Sequence, residues 1–138
     1  MHQLDRFLTA QSHTYEVALA QIRAGRKTSH WIWYIFPQLR GLGRSLNSFT
    51  FGIRDLEEAR EYLAHPVLSS RLREITQALL LHKDKRIEDI MGDVDAMKLR
   101  SSMTLFCLVS EENSPFHQVL ACFYDGKPDI YTLSMVKR

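Results

Sequence analysis

Apolar residues recur at i, i+3, i+4 and i+7 in segment after segment of this chain, and strand-type alternation is almost absent. That periodicity predicts an all-α fold, a single compact domain of about seven to nine helices over residues 1–138. Tyr15, Ala18, Leu19 and Ile22 form one stripe, with Thr14 as its cap candidate, Arg23 in the last turn and Gly25 closing it. A shorter helix is expected before it, from Asp5. Asp55 and Glu58 are spaced as a capping box ahead of Leu56, Ala59 and Leu63, and His65-Pro66 ends that helix and opens the next. The next carries Val67, Leu68, Leu72, Ile75 and Leu79. Ile87 to Met91 predicts a short helix stopped by Gly92, and Asp95 is expected to cap a stripe of Ala96, Leu99, Met103 and Phe106. Ser114-Pro115 heads a helix bearing Phe116, Val119, Leu120 and Phe123, and Asp129 heads a last short one. The expected core draws on Leu19, Ile22, Trp33, Phe36, Leu63, Leu72, Leu79, Leu99, Phe106, Leu120 and Phe123.

Composition narrows the function classes. Hydrophobic residues make up 45% of the 138 and charged residues 25%, ordinary globular values. The net charge of +2, from 18 basic and 16 acidic residues, supplies no global field for nucleic acid. No run approaches the roughly eighteen apolar residues that span a bilayer, and the N-terminus has no apolar leader core, so a cytoplasmic location is expected. Cys107 and Cys122 match neither a redox pair nor a zinc spacing, and read as free thiols. No histidine lies four positions from another, so neither a metal nor a cofactor is expected.

The richest segment is Thr28-Ser29-His30-Trp31-Ile32-Trp33-Tyr34-Ile35-Phe36-Pro37-Gln38-Leu39, which holds both tryptophans. Its apolar run cannot be assigned by periodicity; Ser29 as a cap and Pro37 as a terminator favour a short buried helix. Each buried indole N–H needs an acceptor, so paired tryptophans beside a histidine suggest a pocket floor as readily as core. Gly41-Leu42-Gly43-Arg44-Ser45 then precedes a helix from Leu46. Such a loop can hold an anion with backbone N–H groups and the Arg44 fork, or it can merely turn a corner. It lacks the P-loop and dinucleotide patterns. Arg26-Lys27 and the set Lys98, Arg100, Ser101, Ser102 are cationic or hydroxyl-rich, and serve either as solvated faces or as ligand contacts. The helical period puts Lys98, Ser101 and Ser102 away from the centre of their helix's stripe.

Three segments together carry a family resemblance: Arg26 through Gly43, Tyr62-Leu63-Ala64-His65-Pro66-Val67-Leu68, and Lys98-Leu99-Arg100-Ser101-Ser102-Met103-Thr104-Leu105-Phe106. With them the chain resembles the bacterial family known as domain of unknown function 1810, sometimes labelled calpastatin-like, although nothing here looks like an extended protease-inhibitor repeat. The resemblance implies a small all-α protein and no established reaction. A looser similarity of helical plan, and of Asp95-Ala96-Met97-Lys98, to NAD- and ADP-ribose-associated glycosidases implies a ligand class and no residue roles.

The resulting expectation is a protein that binds, and in one version hydrolyses, a phosphate-bearing ring metabolite such as a nucleotide or ADP-ribose derivative. His30 and Lys98 would be the catalytic actors. Trp31, Trp33, Gln38, Gly41, Gly43, Arg44, Arg100, Ser101 and Ser102 would bind the ligand, with His30 and the Lys98 to Ser102 segment flanking one cavity and the Gly41 to Ser45 loop at its rim. The competing expectation is a noncatalytic helical protein-protein interaction module.

Overall fold

Ten α-helices run through the computed structural model, which describes residues 3–137; Met1, His2 and Arg138, part of the expected 1–138 unit, lie outside the described residues. They are α1 (Asp5–Gln11), α2 (Tyr15–Arg23), α3 (Ile32–Ile35), α4 (Leu46–Thr50), α5 (Leu56–Ala64), α6 (Pro66–Leu79), α7 (Ile87–Met91), α8 (Asp93–Cys107), α9 (Pro115–Phe123) and α10 (Ile130–Val136). The fold is all-α, and seven of the ten have seven residues or more. Among the described residues the only strand-like pairing is a lone bridge between Leu39 and Ile53. No described helix is long and apolar enough to cross a membrane.

Local chemistry sets most boundaries. Asp55, Ser114 and Asp129 each accept a backbone N–H three residues on, from Glu58, His117 and Thr132. The His65 ring nitrogen accepts from Val67 and Leu68 at the head of α6, with Pro66 at the first helical position. Glu58 departs from the capping-box pattern: it accepts the Arg54 N–H at 3.0 Å and pairs with Arg6 at 2.8 Å. Two other boundaries differ from expectation. Asp95 does not cap α8, which already begins at Asp93 after Gly92 turns with φ +84°; Asp95 pairs instead with Lys27 at 2.6 Å. The tryptophan segment yields a single helical turn with Trp31, rather than Ser29, at its N-cap position.

Helix α8 is the axis of the molecule, packed by α9, α7, α10, α3 and α5. Surrounded in this way it is buried over an unbroken run from Ser101 to Phe106. Ser101 and Ser102, expected away from the stripe centre, are therefore inside; Ser101 and Thr104 return their hydroxyls to the carbonyls of Met97 and Arg100, which satisfies them without solvent. One hydrophobic cluster spans the chain, with rings stepping from Phe7 to Tyr62, Phe106 and Phe116. Of the expected core, Trp33, Leu63 and Phe123 are only partly buried, packed against that cluster.

The link from α3 to α5 places the next region. Ile53 donates its N–H to the Gln38 carbonyl at 2.9 Å and accepts that of Arg40 at 2.8 Å, so the chain between them, α4 included, closes as a loop on itself. Glycine is required at two points there. A Cβ on Gly52 would stand 2.6 Å from the Arg40 backbone, and one on Gly43 would stand 2.3 Å from Ser48 Oγ.

Candidate functional site

Three cavities meet at Lys98. The largest, a groove of about 500 Å³, runs between the Gly41 to Gly43 loop, α8 and α10, and its lining includes Gln38, Met97, Ser101 and Tyr131. A second groove, of about 420 Å³, opens between His30, Trp33, Asp93 and Asp95. Between them lies a slit of about 10 Å³ walled by Ile32, Trp33, Phe36 and Gln38.

Each polar group here has a distinct state. Among the described residues Lys98 forms no ion pair; its ammonium sits 5.1 Å from the centre of the Trp33 ring, a cation–π contact. Among the described residues the buried Trp33 indole N–H has no acceptor. Gln38 is 9% exposed, and no described residue bonds to its amide. Asp129, at the edge of the large groove, has its carboxylate held by the backbone and hydroxyl of Thr132. Asp95 in the small groove is neutralised by Lys27. The large groove therefore presents amide and hydroxyl groups between apolar walls, with the Lys98 side chain in its lining and the Asp129 carboxylate at its edge.

The sequence-predicted residues separate accordingly. Trp33, Gln38, Gly41, Gly43, Lys98 and Ser101 line the cavities, and His30, exposed, lines the small groove with Lys98. Trp31 does not. It is fully buried, its N–H donated to Gln21 Oε1 at 2.9 Å, because its side of the segment packs inward. Arg100 points away, its guanidinium donating to the Lys127 and Pro128 carbonyls and lying over the Tyr124 ring. Ser102 is fully buried, its hydroxyl has no partner among the described residues, and it lines none of these three cavities. Arg44 is exposed and lines none of the cavities, and the loop is shaped by contact rather than for an anion: Ser45 caps the short α4, and Gly43 lets Ser48 approach. His30 and the 41 to 43 loop thus face separate grooves on either side of Lys98. Burial pushes the Cys107 thiol up to about 12, which removes it as a nucleophile.

The residues that sequence reading passed over are Val94, Met97 and Tyr131, respectively 65%, 72% and 68% exposed around the large groove. A signal for two of them existed. Val94, Met97 and Ser101 repeat at helical spacing along a second face of α8, beside a stripe that already accounts for its burial.

Comparison with known proteins bears on the family rather than the chemistry. The structure is similar to the crystal structure of a conserved hypothetical protein from Mycobacterium tuberculosis, with 43% identity, a TM-score of 0.95, and coverage of 98% of this chain and 96% of that one. No curated protein matches it. A family model matches residues 1–136, and the chain belongs to that family, described as protein of unknown function (DUF1810).

Proposed function

We propose that the large groove at Lys98 binds a small metabolite carrying an anionic group, phosphate foremost, on a flat ring such as a nucleobase. The observation that carries this reading is the free ammonium: a cation without a carboxylate partner among the described residues, set among apolar walls where its field is least screened. Phosphate on Lys98 would leave the ring to lie along Tyr131 and Met97, as flat ligands do in apolar clefts with few polar anchors. Binding is the activity this geometry supports. His30 opens on the neighbouring groove and gives the large one no general base.

Titration calorimetry with nucleoside monophosphates and ADP-ribose tests the reading. Wild type is expected to bind at least one of them, and Lys98→Met to weaken that affinity by about ten- to a hundredfold, the worth of a charge-assisted hydrogen bond. Arg44→Ala should leave it unchanged. Silence across the panel would remove the proposal.

One observation favours the interaction-module reading instead. Val94, Met97, Ile130 and Tyr131 are all exposed, on two adjoining helices, and an apolar group of this kind can seat a partner. Under that reading Met97→Glu abolishes association with the partner while nucleotides never bind.

A further inference from the structure

The closed loop between α3 and α5 has an apolar tip on a cationic base. From Arg40 to Arg54 it contains three arginines and no acidic residue. On α4 it leaves Leu46 79% and Phe49 63% exposed, with the Arg40 guanidinium 4.8 Å over the Phe49 ring. Arg44, Leu46 and Phe49 line none of the cavities at Lys98 and neither of the grooves beside Arg54 and Arg6. The tip is thus a knob, and exposed Phe with Arg is the composition of an interface core. Next to it lies a groove of about 470 Å³ with apolar walls from Leu39, Leu56, Met135 and Val136. Four charged residues also line it, and three of them are engaged: Arg54 pairs with Asp55 at 3.3 Å and with Glu58, and Arg40 donates to the Phe49 carbonyl at 3.0 Å. The fourth, Glu57, is exposed and forms no ion pair among the described residues; the same holds for Arg44 on the knob. Arg40 belongs to both features, so knob and groove are neighbours on one surface.

We propose that this surface docks a second copy of the chain: across a two-fold axis between knob and groove, Leu46 and Phe49 of each copy enter the other's groove, and Arg44 pairs with Glu57 of the partner subunit. The unmatched cation and the unmatched carboxylate make the surface complementary to itself. A two-fold axis makes the contact twice and closes it at two copies, whereas the same contact repeated head to tail would grow a filament. The net charge of +2 opposes self-association little. The dimer stands apart from the reading of the Lys98 groove and requires no ligand there.

Sedimentation velocity from micromolar to millimolar protein is expected to show a monomer–dimer equilibrium that stops at two copies and weakens with salt. Arg44→Glu and Glu57→Arg should each weaken it by at least about tenfold, because each sets like charges against one another at both contacts. Their mixture is the decisive sample. When the two single variants are combined in equal amounts, both contacts again join opposite charges, so the dimer is expected to return to within about threefold of wild type, as it should in the double variant Arg44→Glu/Glu57→Arg. Leu46→Ser, at a position 79% exposed, should weaken association about tenfold while leaving the urea midpoint in place. A wild type that stays monomeric at millimolar concentration, a dimer untouched by either charge reversal, a mixture that fails to recover, or association that runs on past two copies would overturn the proposal.

Discussion

Trp31 and Trp33 stand two positions apart, each beneath a lysine ammonium at nearly the same distance, 4.9 Å for Lys27 and 5.1 Å for Lys98. Their surroundings differ in everything else. Around Trp31 the polar groups are matched: Gln21 Oε1 accepts the indole N–H together with the backbone N–H groups of Thr28 and Ser29, and Lys27 is paired with Asp95. Around Trp33 the indole N–H has no acceptor and Lys98 no carboxylate among the described residues. Residue type and ring-cation geometry therefore do not separate a structural pair from a candidate site. Satisfaction does, because an unmatched buried donor weakens the fold and persists most readily where something else answers it.

The sharpest break between the two is Trp31→Ala. Emptying a fully buried indole site and removing one of the three N–H donors to Gln21 Oε1 should cost about 3 to 5 kcal/mol, against roughly 1 to 2 kcal/mol for the half-buried Trp33→Ala, both read from urea midpoints. Equal losses would erase the distinction. Next in size is the closed lysine. Lys27→Met strands the Asp95 carboxylate against a buried wall, an expected loss of about 2 to 3 kcal/mol, and adding Asp95→Asn should recover part of it in a double-mutant cycle.

Acid tests a matched carboxylate elsewhere in the fold, Glu58. Burial opposes ionisation of Glu58, but the Arg6 hydrogen bond, the Arg54 N–H and both guanidinium charges outweigh it and hold this carboxyl below the usual glutamate range. With the folded value depressed, the stabilisation is present above the unfolded value and lost as pH falls through the folded one. Glu58→Gln is expected to cost about 1 to 2 kcal/mol at neutral pH, a cost that shrinks only as pH falls beneath the usual glutamate range and through the lowered folded value, so the two unfolding curves converge in strong acid. Parallel curves would detach Glu58 from the matched class.

How far each region was legible in the sequence follows from how local its determinants are. The stripe of Tyr15, Ala18, Leu19 and Ile22, the Ser114 and Asp129 caps and the Gly92 stop depend on neighbours within a turn, and all appear in the structure. Trp31 and Trp33 could not be told apart because what separates them is remote: Asp95 reaches Lys27 from the start of the chain's last third. Arg100 reads as a free cation in sequence, yet it ties down the carbonyls of Lys127 and Pro128, which only tertiary packing brings near. Lys98 was visible as a cation in a largely apolar and hydroxyl-bearing helix, but Asp95 three positions before it was an available partner in the sequence, and only the structure shows that Lys27 takes that carboxylate instead.

The smallest expected effect bears hardest on the comparison. Lys98→Met removes a charge that no carboxylate answers, keeps most of the apolar stem, and gives up a single partly solvated cation–π contact. Its urea midpoint should therefore stay within about 0.5 kcal/mol of wild type, where Lys27→Met, chemically the same substitution over an equivalent ring, loses several times more. A loss matching that of Lys27→Met would mean that Lys98 answers a group the fold depends on; the two tryptophan-lysine pairs would then be one kind of structural contact, and the groove would have no free cation to offer an anion.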